Sequence, residues 1–262
     1  MAFNLERFAE TSTRVTWHDL DLRTFRTDPL DHQTLRCLRY MCDVEYHTSC
    51  YLRDLLVTPS YQEEAAGAFM TMWNREEFWH GEALAAVLAE HDVTVDYNTL
   101  KAKRVKLGWS HALQPAKHSV VSNLAGTDFV AVHMTWGAAN ELSAVAAYRR
   151  LATMTKHPTL SALLRRIGQQ ETRHVAFYTT QARQRLEASE KARTFVRFAL
   201  NRFWKPVGSG IMSEPEVQHV MSHLFAGQGP ELEKLDQKIQ KLPGLTDLTV
   251  FQSAFKRLGV TM

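Results

Sequence analysis

The sequence has few cysteines and no apolar run long enough to cross a membrane. The longest apolar stretch near a predicted helix centre, residues 83–89, is far shorter than the roughly 20 residues that span a bilayer. The N-terminus has no basic start followed by an apolar run, so we expect no signal peptide. Cys37, Cys42 and Cys50 form no C-x-x-C pair and are interpreted as reduced thiols. These absences predict a cytoplasmic protein without a transmembrane segment.

The sequence also lacks the signature motifs of several functional classes. The formal net charge of +3 is too small to indicate a nucleic-acid-binding protein. There is no Walker loop, no G-x-G-x-x-G after a strand and no G-x-S-x-G, so nucleotide-binding and serine-hydrolase functions have no support. With 262 residues and 45% hydrophobic content, the chain is large enough for one domain with a buried site.

Helical periodicity dominates the sequence, and strand signals are scarce. Long helices are predicted over residues 31–57, 60–91, 121–155 and 160–188, with a looser connection over 92–118. Two helical hairpins joined by a longer crossover are the plan of a ferritin-like four-helix bundle. The prediction is therefore an all-α fold: one domain over residues 1–262, a bundle core over about 31–188, and additional C-terminal helices over 190–262. Residues 1–30 show no clear pattern.

Two Glu-x-x-His motifs lie on the second and fourth predicted helices. Glu77 and His80 form the first, and Glu171 and His174 form the second. The i, i+3 spacing places a carboxylate and an imidazole on one helix face, one turn apart. A bundle that binds two metal ions uses two such motifs and a single Glu from each of the other helices. Glu45 and Glu141 stand on apolar stripes of those other helices and supply the single carboxylates.

The turn positions support this set of six ligands. Tyr61 is the midpoint between Glu45 and Glu77, and it follows the turn signal of residues 58–60. Lys156 is the midpoint between Glu141 and Glu171, beside the break at residues 157–158. About 15 residues at 1.5 Å each place both ligand pairs roughly 20 Å from their turns. The two hairpins are therefore predicted to present their ligands at matching depth.

A third Glu-x-x-His motif, Glu216 to His219, is rejected as a metal site. Glu216 lies three residues after Ser213, where a capping-box glutamate belongs. The six remaining residues are carboxylates and imidazoles without cysteine, a donor set that suits iron or manganese better than structural zinc. Two iron ions, with manganese possible at one or both positions, are the predicted cofactor.

At these residues the sequence resembles the soluble acyl-carrier-protein desaturases. Residues 73–84 resemble that family's W-x-x-E-E-x-x-H-G-x-x-L segment, and residues 135–178 resemble its second half. The resemblance implies the same six iron ligands and O2-dependent oxidation of an acyl chain held on acyl carrier protein. It also implies a ferredoxin-like electron donor and a homodimer. Gln170 stands where the family commonly has an acidic residue linked to electron delivery, and Ala144 where it commonly has threonine.

Other functions remain open. A related di-iron enzyme could hydroxylate, N-oxygenate or oxidatively cleave a small-molecule substrate, and a ferritin-like protein could bind iron without catalysis. Candidates for a substrate cavity are Trp79, Met134, Trp136 and Tyr178, although ordinary core packing also explains them. Candidates for docking an acidic carrier protein are Lys191, Arg193, Arg197, Arg202 and Lys205, although their helix also has the pattern of one that simply covers a core.

Overall fold

The computed structural model describes residues 3–98 and 126–262, and within them the protein is all-helical. An isolated bridge between Ser209 and Met212 is the only β-type pairing in that part of the chain. The helices are α1 (Leu5–Thr11), α2 (Thr24–Thr27), α3 (His32–Leu55), α4 (Pro59–Gln62), α5 (Glu64–Ala89), α6 (Thr127–Met154), α7 (Pro158–Ala188), α8 (Glu190–Phe203), α9 (Glu214–Phe225), α10 (Gly229–Gln240) and α11 (Val250–Arg257). Among the described helices, none combines the length and hydrophobicity needed to cross a membrane.

The four predicted long helices correspond to α3, α4 with α5, α6 and α7. The predicted helix over residues 60–91 is divided at Glu63. Residues 59–62 form a separate short helix with Pro59 in its first turn, and α5 begins at Glu64. The short helices α1 and α2 were not predicted, since each is too short to show a periodic pattern. Most of the predicted crossover lies outside the described residues.

The chain divides into two compact units. The N-terminal unit comprises Asn4–Gly126 and Leu151–Gln170, and the C-terminal unit comprises Met1–Phe3, Thr127–Arg150 and Glu171–Met262. The helices α6 and α7 each contribute residues to both units. The predicted single domain, with its four-helix bundle, stays a prediction.

In the N-terminal unit, α3 packs along α5. The carboxylate of Asp31 caps α3 by accepting hydrogen bonds from the backbone N–H groups of Gln33 and Thr34, both at 2.9 Å. Gly81 allows the two helices to approach closely, because a Cβ at this position would lie 2.8 Å from the ring of Tyr46. The Tyr46 hydroxyl then reaches across to donate a hydrogen bond to Glu82 Oε1 at 2.5 Å. These contacts fix α3 and α5 in register beside His80.

In the C-terminal unit, the shorter helices are joined by a buried core around Trp204. Its indole N–H donates to Asn140 Oδ1 of α6 at 3.1 Å, and its ring meets Phe251 of α11 at 5.0 Å. Asp236 of α10 caps α11 by accepting hydrogen bonds from the backbone N–H groups of Phe251 and Gln252. The predicted shorter helices of the C-terminal region are confirmed.

Candidate metal centre

The N-terminal cluster consists of Glu45 on α3 and Glu77 with His80 on α5. One ligand atom from each of these three side chains lies within 4.8 Å of the others. His80 Nδ1 is 3.7 Å from Glu45 Oε2, across the interface between α3 and α5. All three residues are buried: their exposed fractions are 4%, 5% and 0%. The predicted hairpin therefore does bring these three residues together.

The orientation of His80 is set by Gln170. The Nε2 atom of His80 lies 2.8 Å from Gln170 Oε1, a geometry in which the ring donates and the amide oxygen accepts. This arrangement places the proton on Nε2 and leaves the lone pair of Nδ1 facing the carboxylate of Glu45. In metal sites, such a partner fixes both the tautomer and the ring orientation of the ligand.

Gln170 is itself held by the cover segment, which we define as residues 12–19. Its amide nitrogen donates to the carbonyl oxygen of Thr13 at 3.0 Å. Arg166, one turn earlier on α7, donates to the carbonyl oxygen of Thr16 and forms a bidentate pair with Asp19 at 2.6 and 2.7 Å. The cover segment thus connects the N-terminus to the partner of a candidate ligand, a relation that sequence spacing alone gave no means of predicting.

The C-terminal cluster consists of Glu141 on α6 and Glu171 with His174 on α7. Ligand atoms from these three side chains also lie within 4.8 Å of one another. His174 Nδ1 is 2.9 Å from Glu171 Oε2 and 3.7 Å from Glu141 Oε2. Their exposed fractions are 6%, 1% and 0% for Glu141, Glu171 and His174. The second predicted group of three is therefore also brought together.

Burial and the neighbouring carboxylate of Glu171 raise the pKa of Glu141 to about 8. Two carboxylates in a buried space disfavour a second negative charge, and the nearby His174 opposes this effect only in part. Without a cation, Glu141 therefore holds a proton more tightly than an ordinary glutamate does. A cation bound here would replace that proton and stabilise the ionised carboxylate.

Both clusters fit a metal ion by their chemistry. Each contains two carboxylates and one imidazole, all buried, and buried carboxylates are costly unless they are paired, hydrogen-bonded or metal-bound. This donor set suits iron or manganese, and it contains no thiolate. Buried Glu and His clusters within metal-binding distance are therefore present at all six predicted ligands.

The four candidate substrate residues occupy different environments. Met134 and Tyr178 are fully buried in the C-terminal unit, and Trp136 is half-buried there. Tyr178 packs directly on Gly137 of α6, where a Cβ would overlap its ring. In the N-terminal unit, Trp79 is half-buried, with its ring 6.4 Å from that of Trp17.

His133 is a buried histidine of α6 that was not predicted as a site residue. Its ring meets that of Tyr178 edge-on at 5.9 Å, and burial lowers its pKa to about 3. His133 is therefore a neutral imidazole beside a candidate substrate residue. His133 lies on the same helix as Glu141, but the spacing between the two residues is not one that indicates a metal site.

The five candidate docking residues lie on or just after α8. Lys191 pairs with Asp128 at 2.9 Å, and Arg197 forms a bidentate pair with Asp247. Arg193 donates to the carbonyl oxygen of Leu186. Arg202 and Lys205 are exposed. Lys191, Arg193 and Arg197 therefore have polar partners among the described residues.

The rejected third motif joins neither cluster, and Glu216 and His219 are both half-buried. Ser213 is the N-cap of α9, as predicted, but its side chain makes no capping hydrogen bond. The three cysteines are free thiols, as expected. Cys42 donates to the carbonyl oxygen of Gly81 at 3.4 Å, and burial raises the pKa of its thiol.

Comparisons with known proteins find no matching family model and no matching curated protein.

Proposed function

We propose that the protein is an O2-dependent di-iron oxidoreductase whose iron ligands are the six residues of the two clusters. The observation that carries this proposal is the repeated composition of the clusters. Each combines a single Glu with a Glu-x-x-His pair, and every one of the six side chains is buried. This is the ligand set of ferritin-like di-metal proteins, and a four-helix bundle is the fold proposed to present it.

The six residues have distinct proposed roles. Glu45, Glu77, Glu141 and Glu171 supply negative charge to balance two cations, while His80 and His174 each supply one neutral nitrogen. Iron bound there would supply the capacity to bind and reduce O2. The protein contributes the orientation of His80 through Gln170, as well as burial that excludes water from the ligands.

For the substrate, we propose an acyl chain carried by acyl carrier protein, with electrons from a ferredoxin-like donor and a homodimeric assembly. The support is the resemblance of residues 73–84 and 135–178 to the soluble desaturases. Gln170 departs from that family's pattern, and here it accepts a hydrogen bond from a candidate ligand. Electron delivery through an acidic residue at this position is therefore not part of the proposal.

The test is incubation of the iron-loaded protein with O2, a reductant and acyl carrier protein bearing chains of several lengths. The expected result is O2 consumption that depends on the acyl chain, with a product two mass units lighter, as desaturation requires. A Glu141→Gln variant should abolish both signals. Products heavier by one oxygen atom would indicate hydroxylation instead of desaturation. No O2 consumption with any chain would contradict the proposed acyl-chain substrate.

The same experiment distinguishes an enzyme from a non-catalytic iron-binding protein. Such a protein would bind iron at the same six residues without substrate-dependent O2 consumption. Iron binding and O2 consumption are therefore measured on the same preparation.

A further inference from the structure

Three phenylalanines of α8 are exposed, although phenylalanine is a residue that folding usually buries. The exposed fractions of Phe195, Phe198 and Phe203 are 44%, 61% and 55%. The rings of Phe198 and Phe203 meet edge-on at 5.5 Å. We define these three residues as the aromatic face. Exposed apolar groups that lie together commonly mark a binding surface.

The charges beside the aromatic face are mainly positive. The guanidinium of Arg202 lies 5.7 Å from the ring centre of Phe203, and Lys205 follows on the exposed side of the chain. In α8 itself, Glu190 at the first position is the sole acidic residue. The opposite side of α8 is buried through Ala192, Val196 and Leu200. The helix is therefore amphipathic, and its outer side carries both aromatic rings and cations.

A pocket of about 460 Å³ lies immediately after α8. Its polar lining includes Lys205, Ser209, Arg257 and one carboxylate, Glu214, and its apolar lining includes Met212 and Val217. This volume is within the range of small-ligand sites. Two cations and one carboxylate give the lining an excess of one positive charge. The chemical class that it suits is a small anionic group attached to an apolar body.

We propose that the aromatic face and this pocket form a peripheral binding surface for a membrane that contains anionic phospholipids. Phenylalanine side chains that protrude by about half of their area can insert between acyl chains without needing a preformed complementary pocket. Arg202 and Lys205 would then lie at the level of the lipid phosphates, and the pocket would receive one headgroup. Aromatic rings flanked by cations are the pattern of helices that lie in the membrane interface.

The surface lies within the C-terminal unit and does not depend on metal binding or on the proposed reaction. The two proposals are tested separately: vesicle binding is measured on the full chain with and without iron, and it should be the same in both.

The experiment is co-sedimentation of the full chain with phosphatidylcholine vesicles, with or without phosphatidylglycerol. The expected result is binding only to vesicles that contain phosphatidylglycerol, weakened by added salt. The double variant Phe198→Gln/Phe203→Gln should weaken binding by about tenfold or more, and Lys205→Glu by about fivefold or more. Tyr61→Gln, which changes an exposed aromatic residue of α4, is the matched control and should bind as wild type does.

Several results would overturn the proposal. Equal binding to both vesicle types, or no binding to either, would rule out a membrane with anionic phospholipids as the specific ligand. Unchanged binding by the Phe198→Gln/Phe203→Gln and Lys205→Glu variants would show that this surface is not the binding site. If the chain instead binds soluble polyglutamate but no vesicles, the ligand is an acidic polypeptide. If it forms a dimer that the double variant abolishes, without vesicle binding, the aromatic face contacts a second copy.

Discussion

Gln170 connects the cover segment to the N-terminal cluster. It accepts a hydrogen bond from His80 and donates one to the carbonyl oxygen of Thr13, so its amide group is fixed at both ends. Partners of this kind are worth roughly 10- to 100-fold in metal affinity. The imidazole of His80 is therefore oriented before any metal binds.

We predict that Gln170→Ala lowers the affinity for ferrous iron by about 10- to 100-fold, because His80 loses the group that fixes its ring. Gln170→Glu should retain most of the affinity, since a carboxylate oxygen can accept the same hydrogen bond. The measurement is competition for iron against a chelator of known affinity. Gln169→Ala, at the exposed neighbouring position, is the control. Equal affinities for Gln170→Ala and wild type would contradict this role.

The pKa of about 8 for Glu141 predicts a pH dependence of metal binding. Below that pH the metal-free residue is protonated, so a bound cation must displace the proton. Apparent affinity should therefore rise by up to about tenfold per pH unit as the pH approaches 8 from below, and this dependence should flatten above it. Calorimetry in buffers of different ionisation enthalpy measures the released proton. Proton release that is the same at pH 7 and pH 9 would be the contrary result.

The two buried Glu and His clusters were predictable because their signal is local and repeated. Each Glu-x-x-His motif lies within one helical turn, and the two turn signals place the partner glutamates at equal distances along the chain. The partner of His80 was not predictable. The connection from Thr13 to Gln170 joins residues far apart in the sequence, and no periodic pattern marks a cover segment without regular structure.

At the scale of helices, a glycine and a tyrosine determine the close approach beside each cluster. Gly81 follows His80 and faces Tyr46, which itself follows Glu45. Gly137 lies one turn before Glu141 and faces Tyr178, one turn after His174. In both places the absence of a Cβ lets an aromatic ring pack against the backbone of the facing helix. Within each unit, the helices that carry the candidate ligands are therefore held close together by backbone-to-ring contacts.

We predict that Gly137→Ala lowers the free energy of unfolding by about 1–3 kcal/mol, because the added methyl overlaps the ring of Tyr178. In a Tyr178→Ala background the same change should be neutral or stabilising by up to about 1 kcal/mol, since alanine favours a helix more than glycine does. Urea unfolding of the four proteins in this cycle measures both effects. An equal loss in the two backgrounds would disprove the contact.

The cap between α10 and α11 predicts a second pH effect. Burial raises the pKa of Asp236 to about 6, although its hydrogen bonds from backbone N–H groups oppose the shift. Because the folded protein holds this proton more tightly than the unfolded chain, stability from Asp236 is greatest at low pH. It declines as the pH rises from about 4 to above 6.

Relative to Asp236→Asn, wild-type protein should therefore lose about 2 kcal/mol of unfolding free energy between pH 4 and pH 7. Chemical denaturation of both proteins across this range is the measurement, with the exposed Asp28→Asn as the control. A constant difference between wild type and Asp236→Asn would contradict the predicted shift.

At the scale of the whole molecule, the long helices were predictable from periodicity and breaks, including the break between α6 and α7. The division into two units was not, because α6 and α7 run without interruption through the positions where the units change. Periodicity reports which face of a helix is buried, and it does not report which neighbours bury it. The proposed function requires one pair of metal ions bound by the six predicted ligands.

The most direct test of that pairing is metal analysis of the iron-loaded chain combined with anomalous diffraction at the iron edge. We predict two iron ions per chain, about 3.5–4 Å apart, both bound by the six residues Glu45, Glu77, His80, Glu141, Glu171 and His174. Two ions bound separately, a single ion, or iron held by other side chains would contradict the account.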